Sequence, residues 1–284
     1  MLKTFAFEDL SIRYRRTGSG APMVMLHNGG TSHVIWKEVI ERLVGFEVFA
    51  LDLLGFGASS KPGKGYELSR HVAILKAFIE AHDLAPVRLV GNCMGSATSL
   101  AYAMAYPRSV RAMVLINTLT AATFETGIYS LLYGLPERAP GVVEVMSKIP
   151  LGSRFGALGV RSQLGRRGLA RKVHRQKELA SCYASASQSR ALLEVLADIP
   201  NYSVLDAFEP PADFPPICTV WGLENRVLPA RRGRALVEGL RPQREEWLEG
   251  CGHLPMLEDP ERVAAIITSF MSSEPTDAGH DDAL

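Results

Sequence analysis

The sequence has little of what would mark a secreted, membrane-spanning or metal-holding protein. Its four cysteines, Cys93, Cys182, Cys218 and Cys251, are scattered, and none falls in a C-x-x-C or Cys/His spacing. That scatter argues against a disulfide framework and offers no zinc site, so reduced thiols, no metal and no cofactor are expected. No run is long and apolar enough to span a bilayer. The amino-terminal MLKTFAFEDLSIRYRR alternates apolar and polar residues without the unbroken apolar core of a secretion signal. A cytoplasmic protein is expected. Charge of one sign is also missing: 31 Lys plus Arg face 30 Asp plus Glu, a net charge of +1. Such a balance gives no signal for nucleic acid or a membrane surface, and neither is assigned as a partner.

What is present is enough apolar material for one large core, or one core with an inserted subdomain: 284 residues, 47% of them hydrophobic. Short apolar runs read as buried strands at Pro22 to His27, Phe46 to Asp52, Val87 to Asn92, Val110 to Asn117 and Pro216 to Trp221. Between them, His33 to Leu43, Glu67 to His82 and Met94 to Tyr106 carry apolar residues at helical spacing. This alternation predicts a mostly parallel sheet flanked by helices.

The rhythm stops after Asn117. From Leu119 to Asn201 helical pieces are punctuated by Gly and Pro, as in GLPERAPG and KIPLGSRFG. It resumes with Pro216 to Trp221, a helix over Pro229 to Leu240, a strand over Glu245 to Leu248 and a last helix over Pro260 to Met271. The expected division is a core of residues 1–118 and 206–273, a helical cap insertion over 119–205 above the carboxyl edge of the sheet, and a disordered polar tail over 274–284.

The stretch Gly91-Asn92-Cys93-Met94-Gly95 joins a buried strand to a helix, with glycines flanking a cysteine. Glycine is needed where a turn is so sharp that side chains collide with the neighbouring strand and helix. Such an elbow lifts Cys93 above the sheet, at the amino end of a helix whose amides and dipole favour thiolate. The competing view of Cys93 is an ordinary buried cysteine.

Other segments bear on that choice. LHNGG at Leu26 to Gly30, LDLLGFGASSKP at Leu51 to Pro62, WGLENRVLP at Trp221 to Pro229 and GCGHLPMLEDPE at Gly250 to Glu261 occur in the order found in the α/β-hydrolase superfamily. With the elbow, they make the chain resemble that superfamily over nearly all of its length outside the cap and tail. The resemblance implies the α/β-hydrolase fold with Cys93 as nucleophile and His253 as base. It further implies an oxyanion hole built from the Gly29 and Met94 amides. Asn28, in place of the first loop glycine, touches substrate or supports the loop. Asp52 braces its turn.

The chain departs from the pattern at the triad acid. Aligning Trp221-Gly222 and Pro229 puts Asn225 where the family carries aspartate, with Glu224 one residue earlier. Either Asn225 completes a Cys-His-Asn set, or Glu224 substitutes through a small loop shift. A thiol, with a reference pKa of about 8.5, can rest as thiolate beside imidazolium and needs its histidine mainly oriented, so the two departures explain each other. Papain-like proteases use Cys, His and Asn in this way.

Sulfur at the elbow selects the chemistry. An aspartate there attacks alkyl carbon in haloalkane dehalogenases and epoxide hydrolases, whereas a thiol would stop at a stable thioether. An acyl-thioester intermediate is readily reopened, and forms without penalty from a thioester, strained lactone or enol ester. The expectation is hydrolysis of such an activated, small-molecule acyl substrate. Transfer to an amine, alcohol or carbon nucleophile is the first alternative, and a ligand-binding protein on a hydrolase scaffold the second.

Two cap features stay open. Arg154, Arg161, Arg166, Arg167, Arg171, Lys172, Arg175 and Lys177 form a run without an acidic residue among them. It is either a solvated helix face or a dock for coenzyme A or an acyl carrier protein. Ile128, Tyr129, Leu131, Leu132 and Tyr133 line an acyl pocket or form the cap's own core.

Overall fold

The computed structural model describes residues 1–130, 139, 141 and 153–272. Leu131, Leu132, Tyr133 and the tail 274–284 lie outside the described residues, as do the GLPERAPG segment, apart from Ala139 and Gly141, the start of KIPLGSRFG and the Arg154 side chain. Eight strands form one sheet: β1 (Lys3–Phe7), β2 (Leu10–Gly18), β3 (Ala21–Leu26), β4 (Phe46–Leu51), β5 (Val87–Asn92), β6 (Val110–Ile116), β7 (Ile217–Gly222) and β8 (Arg244–Leu248). Their order across the sheet is β1-β2-β4-β3-β5-β6-β7-β8. From β4 onwards every neighbouring pair is parallel, while β1 with β2 and β2 with β4 are antiparallel.

The strands split their side chains by the period of two that a pleated backbone imposes. In β3, Met23 and Met25 pack on one face of the sheet, and Val24 and Leu26 on the other. The central strands are buried on both faces, and all six residues of β7 are buried. The two antiparallel strands, β1 at the edge and β2 beside it, are the part that sequence reading did not identify as strands. Their alternation is the mark of a half-buried strand: Leu10, Ile12 and Tyr14 are buried, with Ser11 exposed between them.

Helices cover both faces. On one, α2 (Leu68–Ala81) buries Leu68, Ile74, Leu75, Phe78 and Ile79, spaced as an amphipathic helix requires. On the other, α12 (Pro260–Ser272) buries Val263, Ile266, Ile267 and Phe270. The helix expected over His33 to Leu43 is a 3-10 turn at His33–Trp36 followed by the four-residue α1 (Lys37–Ile40). Val34, Ile35, Val39 and Ile40 are β-branched and stiff at χ1, which weakens helix formation. The segment ends in tight bonds from the Arg42 and Leu43 amides to the Val39 and Ile40 carbonyls.

After β6 and α3 (Met94–Ala105), which follows β5, the chain leaves the sheet through α4 (Ala121–Phe124). Thr120 caps α4 by accepting the Thr123 amide at 3.1 Å. The cap continues as α5 (Ser153–Gln163), α6 (Arg166–Ala170), α7 (Lys177–Ala184), α8 (Ala186–Asp198) and α9 (Ser203–Asp206), and the chain returns at β7. No strand occurs between β6 and β7 among the described residues. The last two helices before α12 are α10 (Ala230–Leu240) and α11 (Pro255–Glu258). No described helix is long and apolar enough to cross a membrane.

Candidate active site

The elbow between β5 and α3 turns on Cys93 itself, whose backbone has φ 53° and ψ −110°. A non-glycine residue there carries strain on the order of 1–3 kcal/mol, which the surrounding packing must hold. Gly91 and Gly95 make the turn possible. A Cβ on Gly91 would lie 2.4 Å from the Gly95 carbonyl carbon, and one on Gly95 would lie 2.2 Å from the Leu26 carbonyl oxygen. The Cys93 amide is held by the Ile116 carbonyl at 2.9 Å, tying the turn to β6.

The thiol lies on a cavity of about 200 Å³. Met94 and Gly29 both bring their backbone amides to the sulfur. His253 also lines this cavity. Most of the other walls are apolar, with Leu119, Phe124 and Tyr129 from the start of the cap, Leu192, Val195, Leu196 and Ile199 from around α8, and Val227 from the loop after β7, while Asn28 and Gln163 add uncharged polar side chains. Tyr129 thus faces the cavity, whereas Ile128 is 45% exposed.

Asn28 is almost wholly buried, and its side chain is turned into its own loop. Its Nδ2 donates to the Gly29 carbonyl at 3.0 Å, and its Oδ1 accepts from the Thr31 hydroxyl at 2.8 Å. His27 is similarly engaged, with Nε2 accepting the Leu53 amide at 2.9 Å. Asp52 braces the Gly-rich turn by accepting from the His33 amide, the His33 Nδ1 and the Ala58 amide, each within 2.8 Å.

The electrostatics differ from the thiolate–imidazolium rest state expected from sequence. Burial pushes the Cys93 thiol up to about 12, although the Met94 and Gly29 amides favour the thiolate. Burial alone lowers His253 to about 3. The helix amino end does not outweigh the loss of water around the sulfur, so burial favours the neutral form of both groups.

Neither candidate orienter bonds the ring. His253 Nδ1 is buried without a hydrogen-bond partner. Glu224 turns away to the cap, where its carboxylate accepts the Arg166 amide at 2.8 Å and pairs with the Arg166 guanidinium at 3.4 Å. Asn225 is buried, and its Oδ1 accepts the Val227 and Leu228 amides at 2.9 and 3.0 Å. Its Nδ2 has no partner.

Several residues that sequence reading left without a role hold His253 in place. Asn92 and Asn117 donate to the His253 carbonyl at 3.3 and 3.2 Å, while the Asn117 Oδ1 accepts the Gly222 amide at 3.1 Å. From the cap, the Gln163 carbonyl accepts the His253 amide at 2.7 Å. Glu258 accepts the Gly252 and Leu254 amides on either side of the histidine, at 2.9 and 3.1 Å, and the Gly165 amide of the cap at 2.7 Å. The available signal for Asn92 and Asn117 was a polar residue at the carboxyl end of an apolar strand, where sheets of this kind gather their sites. For Gln163 and Glu258 there was none.

The cap's basic run is partly tied to the core. Arg166, Arg167 and Arg171 reach Glu224, Asp259 and Glu38 at 3.4, 2.7 and 2.8 Å. No cluster of side chains suited to a metal ion occurs among the described residues.

With the fold and site described, comparison with known proteins assigns the family. Residues 21–260 match the family model of the alpha/beta hydrolase fold, and the chain belongs to that family. Among similar proteins are a 2-hydroxy-6-oxo-2,4-heptadienoate hydrolase of Pseudomonas putida, 26% identical over 90% of this chain and 91% of the relative, and Lipase 1 of Psychrobacter immobilis, 26% identical over 89% and 78%. A thermophilic esterase from Thermogutta terrifontis superposes with a TM-score of 0.75 at 21% identity, covering 95% of this chain and 96% of that one. That likeness speaks to fold alone.

Proposed function

We propose that this protein is a cysteine-dependent hydrolase that forms an acyl-thioester on Cys93 and cleaves an activated ester, thioester or lactone with an uncharged, apolar acyl group. The observation that carries this is the Cys93 thiol on a nucleophile elbow, met by two backbone amides and facing an apolar cavity with His253. In the first half-reaction the sulfur attacks the acyl carbon. A C–S bond forms, the carbonyl oxygen takes negative charge beside the Gly29 and Met94 amides, and the bond to the leaving group breaks. The thiol proton passes by way of His253 to the leaving group. In the second, His253 takes a proton from water as it attacks the thioester, and returns it to sulfur, giving a carboxylic acid and the free thiol.

The preference for activated donors follows from energetics. A thioester, enol ester or strained lactone exchanges its acyl group onto sulfur without an uphill step, unlike an ordinary ester. The uncharged acyl group follows from the walls, since no charged side chain lines the cavity among the described residues. The dienoate named for the Pseudomonas relative carries a carboxylate. Burying such a group unpaired here would cost several kcal/mol.

A coenzyme A or carrier-protein donor gains no support from the basic run, because three of its arginines are engaged with the core. Asn28 belongs to the support of the oxyanion loop. The division into a core of 1–118 and 206–273 with a cap over 119–205 is part of the same proposal. So is a cytoplasmic location, which four unpaired, buried cysteines suit.

The test is intact-protein mass spectrometry after mixing the enzyme with neutral acyl thioesters, enol esters and lactones, beside Cys93→Ala and with products followed in parallel. A transient adduct that requires Cys93 and decays to free acid is expected. Decay into an amide or ester of an added acceptor would identify a transferase. An adduct that never decays, or none on any donor, would overturn the hydrolase reading in favour of a binding protein.

A further inference from the structure

One stretch of the cap supplies a whole wall of the cavity. Leu192, Val195, Leu196 and Ile199 recur at the i, i+3, i+4, i+7 spacing of a single helical face, along α8 and the turn that follows it. A stripe of this kind commonly packs against other side chains to build a core. This one borders the space in front of Cys93. Its Leu192 end lies on the oxyanion loop, where a Cβ on Gly29 would come 3.1 Å from Leu192 Cδ1.

The stripe is held to the core at both ends. Near the start of α8 the Gln188 Oε1 accepts the Gly57 amide at 2.6 Å, and at its end the Asp198 carboxylate accepts the Leu68 amide at 2.7 Å. Between them Ala191 lies so close to the Gly-rich turn that a Cβ on Gly55 would sit 2.6 Å from the Ala191 Cβ. These ties make α8 a wall of set length and not a lid that adapts to its guest.

Length and volume give the same size. At a rise of about 1.5 Å per residue, Leu192 to Ile199 spans about 10 Å. A zigzag hydrocarbon with bonds of about 1.5 Å advances about 1.25 Å per carbon, so about eight carbons cover that span. An apolar protein cavity of about 150 Å³ takes up benzene with its six carbons. The cavity here, at about 200 Å³, has room for about eight carbons in the same ratio. Because Cys93, His253 and Gly29 border the same space, about eight is the upper bound.

We propose that the α8 stripe is a ruler for the acyl group, and that the substrate carries an unbranched hydrocarbon acyl chain of about six to eight carbons. This names the substrate class for the acyl-thioester chemistry on Cys93 and rests on that reading. Each CH2 laid on the stripe moves from water to apolar surface, which raises affinity about fourfold. Carbons past the end of the stripe meet no further wall and add nothing.

The test is isothermal titration calorimetry of the wild-type protein with unbranched methyl ketones whose acyl groups run from propanoyl to decanoyl. Affinity is expected to rise about fourfold per carbon, to stop rising between hexanoyl and octanoyl, and then to level or fall. Two one-carbon exchanges, mild enough to keep the fold, move the limit in opposite directions. Ile199→Val is expected to lengthen it by about one carbon and Val195→Ile to shorten it by about one. Affinity that rises by the same factor through decanoyl, that stops rising at butanoyl, or that is absent for every ketone would overturn the proposal, as would a limit unmoved by both variants. The ketones have no leaving group, so the series is read without turnover. A protein that hydrolyses nothing yet shows the limit would remove the hydrolase reading and keep the ruler, whereas one that turns over acyl donors without the limit would do the reverse.

Discussion

At the scale of single residues, Cys93 and His253 are both governed by burial. The Cys93 thiol is pushed up to about 12 and the His253 ring down to about 3, so neither carries charge near neutral pH. A thiol well below its pKa gains thiolate tenfold per pH unit, and only thiolate reacts with alkylating agents. The rate of Cys93 alkylation by iodoacetamide is therefore expected to rise about tenfold per unit from pH 6 to pH 9. Peptide mapping, with Cys93→Ala as background, measures it. A plateau near neutrality would mean a thiolate already paired with imidazolium, and would contradict the neutral rest state. That Cys93, His253, Gly29 and Met94 meet at one place was legible in the sequence because each sits at a fixed distance along the chain from a strand end or a glycine. The roles of Asn225 and Glu224 were not, because they depend on which atom each side chain presents. A hydrogen-bond direction leaves no trace in residue spacing.

At the scale of elements, the cap is tied directly to the loop that bears His253. The Gln163 carbonyl at the end of α5 holds the His253 amide at 2.7 Å. Gly165, just before α6, donates to Glu258 at 2.7 Å, and Gly252 and Leu254 donate to the other oxygen of the same carboxylate. As a carboxylate, Glu258 thus ties the cap to the loop that bears His253 through acceptor oxygens alone. At pH 8, where Glu258 is mainly carboxylate, Glu258→Gln replaces one oxygen with an NH2 that faces N–H donors, leaving at least one buried donor unmet. The expected cost is about 1–3 kcal/mol of stability, with a lower kcat at little change in KM, since the loop and not the cavity wall is loosened. Thermal unfolding and steady-state kinetics check it; unchanged stability would show that the carboxylate is not holding the loop. The sequence showed a helical insertion from the loss of strand rhythm after Asn117, but not this connection. Residues 163, 165 and 258 are far apart in the chain and meet only because the cap folds back over the sheet.

At the scale of the whole molecule, the sheet encloses three histidines that burial keeps neutral. His27 and His71 are lowered to about 4 and His253 to about 3. Each has a folded pKa below its unfolded value near 6.5, so on acidification the unfolded chain takes up protons that the folded chain refuses. Stability is present in full above pH 6.5 and is lost as pH falls from there towards 4. With three protons at stake, the slope reaches about 4 kcal/mol per pH unit at most. Glu258 acts in the opposite direction. Burial raises it to about 7, even against the amides that favour its carboxylate, so between pH 4.5 and 7 the folded chain holds a proton that the unfolded chain has released. That removes up to one proton from the slope near pH 5.5, and the offset disappears below pH 4.5, where both states are protonated. Stability by urea titration is therefore expected to fall from pH 7 to pH 5.5 and more steeply from pH 5 to pH 4. His71 lies on the buried face of α2, outside the cavity, and its Nε2 has no partner. His71→Gln is expected to reduce the slope by about one proton, through removal of a group that takes up charge only when the chain unfolds, with no change at the cavity. A slope unaltered in that variant would mean that His71 is protonated in the folded protein and that the acid sensitivity lies elsewhere.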